Sequence, residues 1–80
     1  MKSCVWSKPY GGISHLKTPI KRGYQVSITH CPDDGIFGGG YDWQVISLDG
    51  FITVADGTAS TIEDAKKEAE AEARRMKLFL

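Results

Sequence analysis

Between Ser60 and Phe79 apolar residues recur at three- and four-residue steps, and most of them are alanine. Ile62, Ala65, Ala69, Ala73 and Met76 fall on one stripe of a helix. A stripe that small cannot close a hydrophobic core alone. It lets the helix axis approach a second layer closely, and the bulk of the core must then come from that layer. Ser60 with Glu63 fits a capping box at the helix start. Glu63 and Asp64 in the first turn, with Arg74, Arg75 and Lys77 near the end, agree with the helix dipole. Glu63 to Lys67 and Glu70 to Arg74 stand at the i,i+4 spacing of favourable pairs on a solvated face.

The second layer is legible upstream. Asp49-Gly50 between two apolar runs is a strong hairpin signal, and a two-residue turn there sets the register. Leu48 then faces Phe51, Ser47 faces Ile52, Ile46 faces Thr53, Val45 faces Val54 and Trp43 faces Asp56. Alternation puts Tyr41, Trp43, Val45, Ile52 and Val54 on one face, the expected core, and Ile46, Leu48 and Phe51 on the other. An earlier strand runs from Gly23 to Cys31, with Tyr24, Val26, Ile28 and His30 on one side. Pro32-Asp33-Asp34-Gly35 reads as a turn, prolonged by Gly38-Gly39-Gly40 into a loop that carries Ile36 and Phe37. Residues 1–22 are broken by Pro9, Gly11-Gly12 and Pro19, and we expect an edge strand plus irregular chain. The expected fold is α+β: one domain over residues 1–80, with an antiparallel sheet of three to four strands packed on one face by the C-terminal helix. The strands occupy 23–57 and the helix 60–79.

The 80 residues carry no net charge, yet the charges are segregated. Lys2, Lys8, Lys17, Lys21 and Arg22 precede any acid, and Asp33, Asp34, Asp42, Asp49 and Asp56 follow with no base among them. The plainest expectation is that the basic segment lies across the acidic loops and partly neutralises them. Two cysteines, Cys4 and Cys31, are too few for a disulfide scaffold, so reduced thiols in a cytoplasmic protein are expected. The apolar run Cys4 to Trp6 is far short of a signal-peptide core or a membrane span.

No pattern of catalysis or metal binding stands out. Cys4, His15, His30 and Cys31 lack the paired spacing of zinc ligands, so no metal is expected. Asp33-Asp34-Gly35 with Asp42 lacks the alternating acids and closing glutamate of a calcium loop. The run Gly35 to Gly40 lacks the Lys-Ser/Thr of a phosphate-binding loop. A domain near the lower size limit buries only about 60% of its unfolded surface and has little room for a shielded active site. The expectation is a non-enzymatic binding module with no cofactor.

The segment from Asp42 to Ala73, with Trp43, Val45, Asp49-Gly50, Ile52, Gly57, Ala59 and Ile62-Glu63-Asp64-Ala65 before Ala69, resembles the ending of many small phage and prophage proteins, anti-CRISPR-like inhibitors among them. That resemblance carries no functional residue. It implies a phage accessory protein that occludes a surface of a host protein. The candidate docking residues come from the apolar remainder: Ile46, Leu48 and Phe51 on the sheet face away from the helix, with Phe37 on the glycine loop. The N-terminal segment, a second copy of the chain or a partner protein must cover such a patch, and a homodimer is the simplest variant. The alternative is a small nucleic-acid-binding domain using Lys17, Lys21 and Arg22, with Tyr10 and Tyr24 as stacking rings.

Overall fold

The computed structural model describes residues 4–31 and 40–80. It contains strands β1 (Ile13–His15), β2 (Tyr24–Cys31), β3 (Gly40–Ser47) and β4 (Ile52–Ala59), followed by helix α1 (Ile62–Arg75). The strands form one antiparallel sheet in the order β1-β2-β3-β4, and α1 packs across β3 and β4 and reaches β2. The fold is the expected α+β arrangement, a four-stranded antiparallel sheet with its C-terminal helix on one face. Val26, Ile28, Trp43 and Val45 from the central strands meet Ala65, Ala69 and Ala73, and all of them are buried. The alanine stripe does what small side chains allow: it brings the helix close and leaves the bulk to the sheet.

The β3–β4 register begins as expected and then departs. Ser47 faces Ile52 and Ile46 faces Thr53, but an irregularity between Val45 and Ile46 sets Val45 opposite Ala55 and Trp43 opposite Gly57. This bulge skips Val54, which is exposed along with Ile52, so neither belongs to the core assigned to them. The physical reason lies under the helix. With Asp56 opposite Trp43, alternation would place an aspartate on the buried face; the shift turns Ala55, Gly57 and Ala59 inward and leaves Asp56 in solvent. Gly57 is required there: a Cβ would fall 2.6 Å from the Trp43 ring.

The turns also exchange roles. Gly11 and Gly12 have φ of 61° and 80°, and Tyr10 and Ile13 trade both backbone hydrogen bonds, at 3.0 and 3.1 Å. That is the two-residue hairpin turn for which glycine has the needed freedom. The doublet expected to interrupt the chain instead folds residues 5–10 back along β1. Trp6 bridges Leu16, the Ser7 N–H donates to the His15 carbonyl and the Lys17 N–H to that of Val5. At the other hairpin, residues 48–51 form a wider turn whose positive φ values fall on Gly50 and Phe51, not on Asp49 and Gly50. Leu48 is drawn away from Phe51 because its N–H donates to the Gly23 carbonyl at 2.8 Å.

The helix is shorter than its periodicity suggests. Thr61, not Ser60, is the N-cap, its hydroxyl accepting from the Asp64 N–H at 3.1 Å. After Met76 the chain turns back through Lys77, at φ 58°. The Leu78 N–H reaches the Ala73 carbonyl and the Lys77 N–H that of Arg74, a Schellman ending with lysine where glycine is usual. Leu78 is buried, and Phe79 bridges Ile20.

Candidate functional site

Two indoles are anchored on the helix. Trp43 Nε1 donates to Glu68 Oε1 at 3.2 Å, and Trp6 Nε1 to Glu70 Oε2 at 2.8 Å. Each bond satisfies the one polar atom of a large ring packed in or against the core. Glu70 is therefore engaged with Trp6, and neither expected i,i+4 ion pair forms. Among the described residues the ion pair is Glu72 with Arg75, through both guanidinium Nε and Nη2. Arg75 holds the Glu72 carboxyl below its ordinary range by hydrogen bonding, and is itself held higher by it. Arg74 instead lies 5.7 Å from the centre of the Phe79 ring.

Cys4 is a free thiol beside Glu70 and Thr18. Burial pushes its pKa up, and the Glu70 carboxylate adds to this. Because the thiolate is the nucleophile, Cys4 should alkylate more slowly than free cysteine at neutral pH. Its rate should climb only above the ordinary thiol range, and Glu70→Gln should speed it. Iodoacetamide labelling against pH, read at Cys4 by peptide mass, checks this; a fast reaction at pH 7 would refute it.

A shallow depression of about 180 Å³ lies over the β3–β4 ladder, lined by Asp42, Trp43, Gln44, Asp56, Gly57 and Thr58. Sites that enclose a ligand generally offer about 300 Å³ or more. No three His, Cys, Asp or Glu among the described residues converge as a metal site, and no described helix is long and apolar enough to cross a membrane.

The candidate docking residues do not form one flat patch. Ile46 is half-buried on the sheet face away from the helix, whereas Leu48 and Phe51 sit in the β3–β4 turn. Phe37 lies outside the described residues. The exposed apolar surface continues from the turn along the outer strand: Leu48 is 41% exposed, Phe51 80%, Ile52 59% and Val54 45%. The last two were hidden from sequence reasoning by the bulge. Among the described residues β4 is paired on one side, by β3, which leaves its outer backbone edge open to them.

Phe51 is the unusual member. An aromatic residue in the left-handed region is a steric outlier, and this one is exposed besides. Replacing it with glycine should leave stability unchanged or raise it by up to about 1 kcal/mol, since strain is removed and little packing is lost. Chemical denaturation reads this; a loss of more than about 1 kcal/mol would show that the ring supports the fold.

Lys17, Lys21 and Arg22 are all exposed in the connection between β1 and β2. The expectation that the basic segment lies across the acidic loops involves Lys2, Asp33 and Asp34, which lie outside the described residues. Among the described residues no ion pair joins Lys17, Lys21 or Arg22 to an acid. Tyr10, 91% exposed, is at the far end of β1 from these cations, while Tyr24 is half-buried beside them at the start of β2. In comparisons with known proteins, no family model, curated protein or solved structure matches this chain.

Proposed function

We propose that this chain is a non-enzymatic protein-binding module, working in the cytoplasm, that docks through the β3–β4 turn and the outer strand β4. The observation that carries this reading is Phe51: a large aromatic side chain held exposed at a backbone angle that favours glycine. Folding alone gives no reason to retain it. The neighbouring Leu48, Ile52 and Val54 extend it into an apolar strip of the kind that marks a contact surface. The open β4 edge adds backbone donors and acceptors that an incoming strand can use. The resemblance of residues 42–73 to the ending of small phage accessory proteins supports an anti-defence inhibitor, anti-CRISPR-like in kind, that occludes a host protein. A second copy of the chain seated on the same edge would make the homodimeric form.

The test compares the immobilised chain with its Phe51→Ser and Ile52→Ser/Val54→Ser variants in nuclease-treated bacterial lysate, alongside sedimentation of the free chain. A protein retained by the parent chain and lost by both variants supports the reading. So does a mass that rises above 8.8 kDa with concentration and returns to it in the variants. A monomer that captures the same proteins as its variants refutes it.

A further inference from the structure

We infer that one end of this molecule is a nucleic-acid-binding surface built from two segments far apart in sequence, the β1–β2 connection and the C-terminus of α1. This goes beyond the protein-docking reading and does not rest on it. The connection supplies Lys17, Lys21 and Arg22; the helix end supplies Arg74 and Lys77, and all five are exposed. Backbone contacts join the two segments. The Lys21 N–H donates to the Leu78 carbonyl at 2.8 Å, and Ile20 bridges Phe79, so the cations of one segment are set beside those of the other.

The helix dipole gives a sufficient reason for Arg74 at a helix C-terminus, but not for Lys21 and Arg22, which belong to another element. Lys77 also occupies a left-handed position where glycine is the usual residue. None of these five makes an ion pair among the described residues; the neighbouring Arg75 is the one paired, with Glu72. The five cations share this end with three acids: Asp49 in the β3–β4 turn, Glu70, which accepts the Trp6 indole N–H, and Glu72, which is paired with Arg75. Five cations without a carboxylate partner at one pole of a chain with no net charge fit a polyanion, while Asp42, Glu63 and Asp64 stand near the starts of β3 and α1 at the opposite pole.

The ring at the same end makes nucleic acid the polyanion of choice, and single strands its preferred form. The Leu48 N–H donates to the Gly23 carbonyl, which sets the β3–β4 turn with its exposed Phe51 beside Arg22. Cations tracking phosphates with an exposed ring for a base is the arrangement that holds single strands without sequence preference. The alanine stripe of α1 faces the core, so the helix has no apolar face to lay into a lipid surface.

The experiment titrates labelled oligo(dT), oligo(U) and a DNA duplex with the full chain at rising salt, with anionic vesicles of phosphatidylserine and phosphatidylcholine as a further arm. Single strands should bind with a slope of log K against log salt of about −3, from four to five neutralised phosphates. Lys21→Glu/Arg22→Glu and Arg74→Glu/Lys77→Glu should each weaken binding by about ten-fold or more. Lys66→Glu/Lys67→Glu, with the same change in net charge earlier on the helix, should not. Circular dichroism confirms that each variant folds; if the helix-end pair does not, Arg74→Gln/Lys77→Gln replaces it with the same expectation. Phe51→Ala should weaken single strands and spare the duplex, and Ile52→Ser/Val54→Ser should change neither, which separates this surface from the protein-docking one. Equal losses in the control pair would reduce the effect to net charge and overturn the site. Failure to bind any nucleic acid at low salt, or binding to vesicles alone, would overturn it as well.

Discussion

Replacing Gly57 with alanine should remove a large share of the molecule's stability. The added Cβ would stand 2.6 Å from Cε2 and Cζ2 of Trp43 and 2.7 Å from its Nε1, distances that real Cβ atoms do not adopt. One side must give way. The glycine is held in the ladder opposite Trp43, so the ring is the part able to move, and moving it breaks the Trp43 to Glu68 hydrogen bond. Expelling a buried tryptophan costs about 3–5 kcal/mol, the range seen when a large aromatic core side chain is removed. A domain of 80 residues has roughly 4–12 kcal/mol in all. Urea denaturation should show that loss, with tryptophan emission shifted to the red as the indole meets water. Trp43→Leu should be costly alone, yet adding Gly57→Ala to it should cost much less than in the parent chain, because the clash is gone. A Gly57→Ala variant as stable as the parent would show that Trp43 does not lie over this strand.

The same contact explains where sequence reasoning ran out. The α+β architecture, the alanine face of the helix and the burial of Val26, Ile28, Trp43 and Val45 follow from periodicity, because the two repeats of 3.6 and 2 residues survive in any register. The bulge does not follow from the hairpin signal, since Asp49-Gly50 specifies only the pairs next to the turn. Its trace was in the strand itself: Ala55, Gly57 and Ala59 alternate with Asp56 and Thr58, and small residues at period two are what a strand beneath a close-packed helix needs. Reading that alternation would have moved Val54 out of the core and added Ile52 and Val54 to the exposed apolar strip. The Gly11-Gly12 hairpin was legible too, as a doublet suited to two positive φ values. Other features had no local signal. That Glu68 and Glu70 receive indole N–H bonds depends on the helix crossing both Trp43 and the segment carrying Trp6. The meeting of Lys21 with the helix end depends on a bridge between residues 20 and 79. Pairings so distant in sequence are set by tertiary packing, which a pattern of one residue type per position does not encode.

Leu78→Ala should be the second severe change. Leu78 is 2% exposed and lies in the core cluster although it stands outside every strand and helix. Its position depends on the Schellman ending, in which its own N–H closes on the Ala73 carbonyl while the side chain turns inward. Truncating a buried leucine removes its transfer energy and leaves a cavity, about 2.7–5 kcal/mol where the surroundings relax little. Relaxation is restricted here, since the neighbouring alanines have no atoms to fill the gap. The loss should also loosen the bridge from Phe79 to Ile20, seen as faster amide hydrogen exchange at Lys21, whose N–H donates to the Leu78 carbonyl. A companion change separates packing from backbone geometry. Lys77→Gly relieves the φ of 58° and should stabilise the domain by about 0.5–1 kcal/mol without altering the core. If Leu78→Ala costs less than about 1 kcal/mol, the chain end is not part of the core. If Lys77→Gly destabilises instead, the left-handed turn is absent in solution, and the placement of Lys77 beside Lys21 loses its support.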